Sequence, residues 1–204
     1  AKGRCYWLRV FEIEEGSRQS KGRAIQNMLN IDPDDRINAC LHVRKLKDEA
    51  FCQSHYVVFA TQQGIVKKTC LTEYSRPRTN GVNAINIRED DRVVSVALTN
   101  GSDEILMANR NGRAVRFKEE AIRVMGRVAT GVRGMVLDGD GDEVVGMVCV
   151  NDPANETILV VSEQGYGKRS LVDDYRITNR NTKGVRTLNI TEKTGKVVAI
   201  KCVK

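Results

Sequence analysis

Aromatic rings, histidine and proline are all scarce in this chain of 204 residues, which holds one Trp, five Tyr, four Phe, two His and three Pro. So few rings leave little for a surface that stacks bases, the usual hold on a single-stranded nucleic acid. His42 and His55 stand in separate strand-like segments with no E-x-x-H or cysteine spacing around them. Neither reads as a metal ligand or catalytic base. Long apolar runs are missing too, and the N-terminal AKGRCYWLRV lacks the apolar core of a signal peptide. The expectation is a cytoplasmic chain that does not engage a membrane. The six cysteines, Cys5, Cys40, Cys52, Cys70, Cys149 and Cys202, include no C-x-x-C pair, and each stands singly among apolar neighbours or at the end of an apolar run. Reduced thiols in a core are predicted. A chain of this length buries a sizeable core without disulfides or metals.

What the sequence does contain is a unit written four times. A turn glycine leads a basic or aromatic strand in GRCYWLRV from Gly3, GIVKKTCL from Gly64, GRAVRFKE from Gly112 and GYGKRSLV from Gly165. A second glycine, 19, 17, 19 and 19 residues later, leads an apolar-alternating strand: KGRAIQNML at Gly22, NGVNAINI at Gly81, TGVRGMVL at Gly131 and KGVRTLNI at Gly184. A polar turn and a β-branched run follow, in DDRINACLHV, DDRVVSVALT, GDEVVGMVCV and TGKVVAIKCV. The strands HYVVFATQQG, EILMANRNG and TILVVSEQG then lead into the next turn. Short segments rich in Val, Ile, Leu and Thr, punctuated by N-G, Q-G and D-G turns, predict antiparallel strands and an almost all-β chain. KEEAIRVMG over 118–126 is the one stretch with a helical turn in it, whereas KTCLTEYS and SLVDDYRI read as strand ends. Four four-stranded units in series predict a propeller-like array of blades with repeats near 1–54, 55–103, 104–156 and 157–204. Because the first repeat starts at its turn glycine and the last stops after KVVAIKCVK, the array is expected to be an unclosed segment of a longer one.

The net charge of +7 is distributed unevenly. The windows 3–24, 64–83, 112–133 and 165–186 are net +2, +3, +4 and +4, or +13 together, which leaves the other 118 residues at −6. On equivalent places of four blades those cations make a stripe, and a stripe suits a long polyanion because each neutralised phosphate releases counterions. Duplex DNA is the predicted partner. Within the windows, Lys68, Arg116 and Arg169 stand four residues after the first glycine, with Lys67, Lys168 and Arg113 near them. Arg18, Arg127 and Arg180 stand four residues before the second glycine, Lys21 and Lys183 immediately before it, and Arg23 just after; repeat two offers Arg76 and Arg78 instead. A glycine beside such cations lets the backbone approach a phosphate, or simply serves a turn that needs positive φ. Tyr74 and Tyr175 share their repeat position with Ile13 and Ile122, which makes it a core position, and Trp7 reads as packing. DGDGDE at 138–143 has D-x-D-x-D spacing without the rest of a calcium loop, so no metal is expected there.

KKTCLTEY (67–74), ATGVRGMVL (129–137), GYGKRSLVDDY (165–175) and NTKGVRTLNI (181–190) resemble the C-terminal domain of the bacterial DNA gyrase A subunit, over essentially the whole chain in one register. The resemblance implies a six-bladed β-pinwheel, with strands exchanged between blades, of which four consecutive blades are present. It implies a non-catalytic segment that wraps duplex DNA on a basic perimeter, its partners in the holoenzyme being the remainder of the gyrase A protein and the gyrase B protein. It implies no cofactor here, ATP and Mg being used elsewhere in the holoenzyme during negative supercoiling. The family's Q-R-R-G-G-K-G box is absent, for no double glycine occurs; RQSKG (18–22) and RNTKG (180–184) are box-like relatives of it. That absence leaves open the corresponding C-terminal domain of topoisomerase IV, and a protein-interaction propeller is the alternative from another class. An enzymatic propeller would need convergent acids or a histidine cluster at equivalent positions, and neither is present.

Overall fold

A computed structural model describes residues 2–204. It is built from thirteen strands: β1 (Arg4–Cys5), β2 (Tyr56–Thr61), β3 (Ile65–Cys70), β4 (Val82–Asn83), β5 (Val93–Thr99), β6 (Glu104–Asn109), β7 (Arg113–Lys118), β8 (Val132–Arg133), β9 (Val144–Val150), β10 (Thr157–Ser162), β11 (Gly167–Leu171), β12 (Val185–Arg186) and β13 (Val197–Val203). They form sheets in the orders β5-β2-β3-β8, β9-β6-β7-β12, β13-β10-β11 and β1-β4, with every pairing antiparallel. The all-β reading holds, and so does the exchange of strands. β8, which follows Gly131, pairs with β3 of the repeat before it; β12, after Gly184, pairs with β7, and β4, after Gly81, pairs with β1.

The three larger sheets meet along β5, β9 and β13, which places β8 and β12 at the far, outer edges. Their central strands are sandwiched. In β6, Ile105 and Met107 join one core with Val58, Val66 and Phe117, while Leu106 and Ala108 join another with Ile158, Val160 and Val172. Burial on both faces is why EILMAN reads as a continuous apolar run rather than an alternation. Fully burying one Leu, Ile or Met of this kind contributes about 1.5–3 kcal/mol, so the sheets are held by each other's faces.

Both glycine landmarks have a structural cause. Gly3, Gly64 and Gly112 have φ of 77°, 82° and 77°, and a Cβ there would lie 2.6, 2.7 and 2.6 Å from the carbonyls of Ile85, Met135 and Leu188 in the exchanged segment of the following repeat. The carbonyls of the same glycines accept the N–H groups of Ala84, Gly134 and Thr187, each at 2.8 Å. They are the seats on which one repeat rests on another. A 3-10 turn begins seven residues after each first glycine, at Val10, Leu71, Glu119 and Val172. The turn read from KEEAIRVMG is therefore present in every repeat, including those read as strand ends.

Repeat one departs from expectation. DDRINACLHV forms no strand, whereas its counterparts β5, β9 and β13 each pair with the strand that precedes a first glycine. Ile13, expected at a core position, is 51% exposed, whereas Tyr74, Ile122 and Tyr175 are buried as predicted. Cys40 is exposed rather than in a core, Cys52 is buried, and all six cysteines are free thiols. A short helix, α1 (Glu49–Ser54), has no counterpart in the sequence reading; Asp48 caps it by accepting the Phe51 N–H at 3.0 Å. Trp7 packs, as read, and its Nε1 donates to the Tyr74 carbonyl at 3.0 Å. No helix is long and apolar enough to cross a membrane among the described residues.

A candidate nucleic-acid interface

The predicted stripe divides into two sets of cations with different surroundings. Lys67, Lys68 and Arg116, which the sequence reading places on the rim, are 0%, 5% and 5% exposed. They stand in β3 and β7, strands flanked on both sides within their sheets, and the following repeat covers them. Lys67 donates through Nζ to the carbonyls of Ala84 and Arg127, with the Phe59 ring 5.3 Å away. Burial, and secondarily the Arg127 charge, push its pKa down to about 8. Lys68 Nζ lies 3.1 Å from Glu119, a wholly buried carboxylate, and 4.4 Å from the centre of the Tyr56 ring. Glu119 also accepts the Thr99 hydroxyl at 2.7 Å and the Gly101 N–H at 3.2 Å. Arg116 pairs with Glu104 at 2.6 Å and donates to the carbonyls of Val172 and Tyr175, each at 2.8 Å. These three cations fasten one repeat to the next, and a phosphate could not reach them without taking the repeats apart.

Arg169 shares the repeat position of Lys68 and Arg116 but is exposed on β11, where its Nε donates to Thr157 at 2.7 Å. Lys168 beside it is exposed too. Arg18, Lys21, Arg23, Arg76, Arg78 and Lys183 are not buried either, and they lie in the loops around the second glycines. Arg23 pairs with Glu14 at 3.0 Å. Arg113 and Arg127 are half-buried, the former paired with Asp138 at 2.9 Å and the latter with Glu73 at 3.5 Å. Arg180 donates to the carbonyls of Ala121 and Arg133, both at 3.1 Å. The loops preceding Gly131 and Gly184 open onto β8 and β12, so their cations gather at the outer perimeter. Gly22, Gly81, Gly131 and Gly184 all have positive φ, between 65° and 108°. At Gly184 a Cβ would run into the carbonyl of Ala114, and at Gly81 and Gly131 it would lie 2.6 Å from the carbonyls of Cys5 and Val66. The close approach these three glycines permit is thus to the neighbouring strand rather than to a ligand.

Two outer-edge cations escape the sequence reading as individual residues. Arg133 and Arg186, the exposed ends of β8 and β12, stand two residues after their glycines. The shared G-V-R at 131–133 and 184–186 was the available signal.

Strand-exchanged sheets meeting along their inner strands, with cations spaced along outer edges, define a β-pinwheel, a propeller-type repeat protein that presents a basic perimeter. Comparison with known proteins narrows the class. The family model for "DNA gyrase C-terminal domain, beta-propeller" matches residues 1–44, 55–100, 103–151 and 156–204, and the chain belongs to that family. The DNA gyrase A protein of Salmonella typhimurium is 45% identical over 199 residues, 97% of this chain and 22% of that protein. The DNA gyrase A protein of Staphylococcus aureus strain MRSA252 is 43% identical over 202 residues, 99% of this chain and again 22% of that protein. The chain therefore spans about a fifth of the length of the relatives it matches. Among solved structures, a C-terminal domain of DNA topoisomerase IV aligns over all of this chain and 61% of its own, with a TM-score of 0.85 and 28% identity. A DNA gyrase A C-terminal domain aligns over all of this chain and 63% of its own, with a TM-score of 0.80 and 24% identity. Left open by the missing double glycine, the choice between gyrase and topoisomerase IV falls to gyrase on the gyrase A relatives.

Proposed function

We propose that the chain is a non-catalytic DNA-binding and DNA-wrapping domain of a gyrase A protein, holding duplex DNA along its outer edges in support of ATP-dependent negative supercoiling by the holoenzyme. The observation that carries this is the placement of exposed cations on successive strand-exchanged edges: Arg76 and Arg78, then Arg133, then Lys183 and Arg186. Edge cations on separate repeats neutralise phosphates at separate points along a duplex, so weak contacts accumulate. Bending a duplex over them costs about 1–6 kcal/mol per 20–30 base pairs, which several phosphate contacts offset. The remainder of the gyrase A protein, together with the gyrase B protein, would supply the chemistry, with its ATP and Mg.

Such contacts position a backbone and carry no sequence information. Binding is expected to be nearly sequence-independent and steeply salt-sensitive. A gel-shift titration of duplexes of about 40 base pairs at several salt concentrations tests this. Absence of a shifted complex at the lowest salt would overturn the reading.

A further inference from the structure

Asp138 places a carboxylate where the other repeats have none. It stands seven residues after its second glycine, and the equivalent residues are Leu29, Arg88 and Thr191. Its Oδ1 lies 2.7 Å from Lys183 Nζ, and its Oδ2 lies 2.9 Å from Arg113 Nε. The two cations come from different repeats: Arg113 opens β7, whereas Lys183 precedes Gly184 and the exchanged strand β12. Arg113 also donates from Nη1 to the Gly184 carbonyl at 3.4 Å, which ties it to the R-x-x-K-G loop.

The turn fixes the Asp138 backbone and leaves its carboxylate to the two cations. The Asp138 N–H donates to Asp142 at 2.8 Å, and its carbonyl accepts from the Asn111 side chain at 3.3 Å. Asp142 in turn accepts from Asn109 at 2.7 Å and from the Asn111 N–H at 3.2 Å. Lys183, by contrast, keeps 61% of its side chain exposed and is free to turn toward another anion. One negative charge shared over two oxygens, each facing a cation, is also what a phosphodiester presents.

We propose that Arg113 and Lys183 form a phosphate seat across the third and fourth repeats, and that Asp138 fills it in the DNA-free chain and yields it to a DNA backbone. The proposal rests on the DNA-binding reading above and adds a regulation to it. At this point of the perimeter DNA exchanges one anion for another instead of meeting free cations. The wild-type chain therefore releases fewer counterions than its exposed cations would suggest.

The test is fluorescence anisotropy with a labelled duplex of about 40 base pairs across a salt series, using wild type, Asp138→Asn, Lys183→Ala and the double variant. A pair whose lysine is this exposed is weak, so Asp138→Asn is expected to bind about two- to fivefold more tightly. Its log–log salt dependence is expected to steepen by about 0.9 for each cation set free. Lys183→Ala is expected to cost less than about twofold in the wild type and more in the Asp138→Asn background. Unchanged or weaker binding by Asp138→Asn with an unchanged thermal melt overturns the proposal. Should that variant unfold, Lys183→Ala alone decides, because a loss well above twofold in the wild type means that the lysine was already available to DNA. Failure of the wild type to bind at all would instead remove the DNA-binding reading and this proposal with it.

Discussion

Lys67 is an ammonium buried between repeats with two carbonyls and a ring around it and, among the described residues, no carboxylate bonded to its Nζ. Burial, the larger cause, and the nearby Arg127 charge set its folded pKa at about 8, below the ordinary lysine value of 10.5. Between those values the unfolded chain binds the extra proton, so this lysine's contribution to stability rises with pH across that window. Cys5 opposes it, since burial lifts its thiol to about 11 and the stability held by the neutral thiol falls above the ordinary cysteine value of 9.0. The clean measurement is a difference. Urea unfolding of wild type minus Lys67→Met at pH 7.5, 8.5 and 9.5 is expected to rise steadily, and a flat difference would contradict the depressed pKa. Glycine offers a second contrast at the same scale. Gly165 and Gly64 have φ of 77° and 82°, but a Cβ at Gly165 meets nothing within 4 Å whereas one at Gly64 meets the Met135 carbonyl at 2.7 Å. Gly165→Ala is expected to cost about 1–2 kcal/mol, the penalty of the left-handed region. Gly64→Ala should cost more, because a seated strand has to move as well; equal costs in urea unfolding would argue against the seat.

At the scale of elements, the unit of construction is a segment laid on the preceding repeat: its 3-10 turn and the residues after it cover a cation, and its strand after the second glycine completes that repeat's sheet. Arg116 in β7 and Arg169 in β11 occupy the same repeat position under opposite conditions. One is enclosed by Glu104 and two carbonyls of the following repeat, and the other is exposed. Arg116→Ala leaves Glu104 and those carbonyls short of a partner, and a loss of about 3–5 kcal/mol is expected from breaking a buried pair. Arg169→Ala is expected to change stability by no more than about 0.5 kcal/mol. Similar values for the two in chemical denaturation would mean that the covering segment does not fasten the repeats. This pair also marks where sequence stops being informative. Period and turn residues announce the strands, and constant glycine spacing announces the repeat, because both are local in the chain. Which repeat receives the strand after the second glycine is a question of pairing between residues 66 to 79 positions apart, and composition says nothing about it. Lys67, Lys68 and Arg116 accordingly look like surface residues in the sequence, since a cation four residues after a glycine reads the same whether or not another repeat lies over it.

For the whole molecule, the perimeter's cations act together only if one duplex touches several repeats. Arg78, Arg133 and Arg186 are exposed and belong to three different repeats, and none of them forms an ion pair among the described residues. If each meets a phosphate, replacing one by alanine lowers the log–log salt slope by about 0.9, and replacing all three lowers it by about three times as much on a duplex long enough to reach them all. A duplex of about 15 base pairs spans fewer repeats, so the triple substitution should then lose less of its slope than on one of about 40 base pairs. The fold is not at risk in this comparison, since surface substitutions of this kind change stability by about 0.5 kcal/mol or less and the buried cations Lys68 and Arg116 are left in place. A loss of only about 0.9 on both the short and the long duplex would confine the contact to one repeat and remove wrapping while leaving binding. A larger loss on the long duplex is the outcome expected of an array that bends DNA along successive exchanged edges.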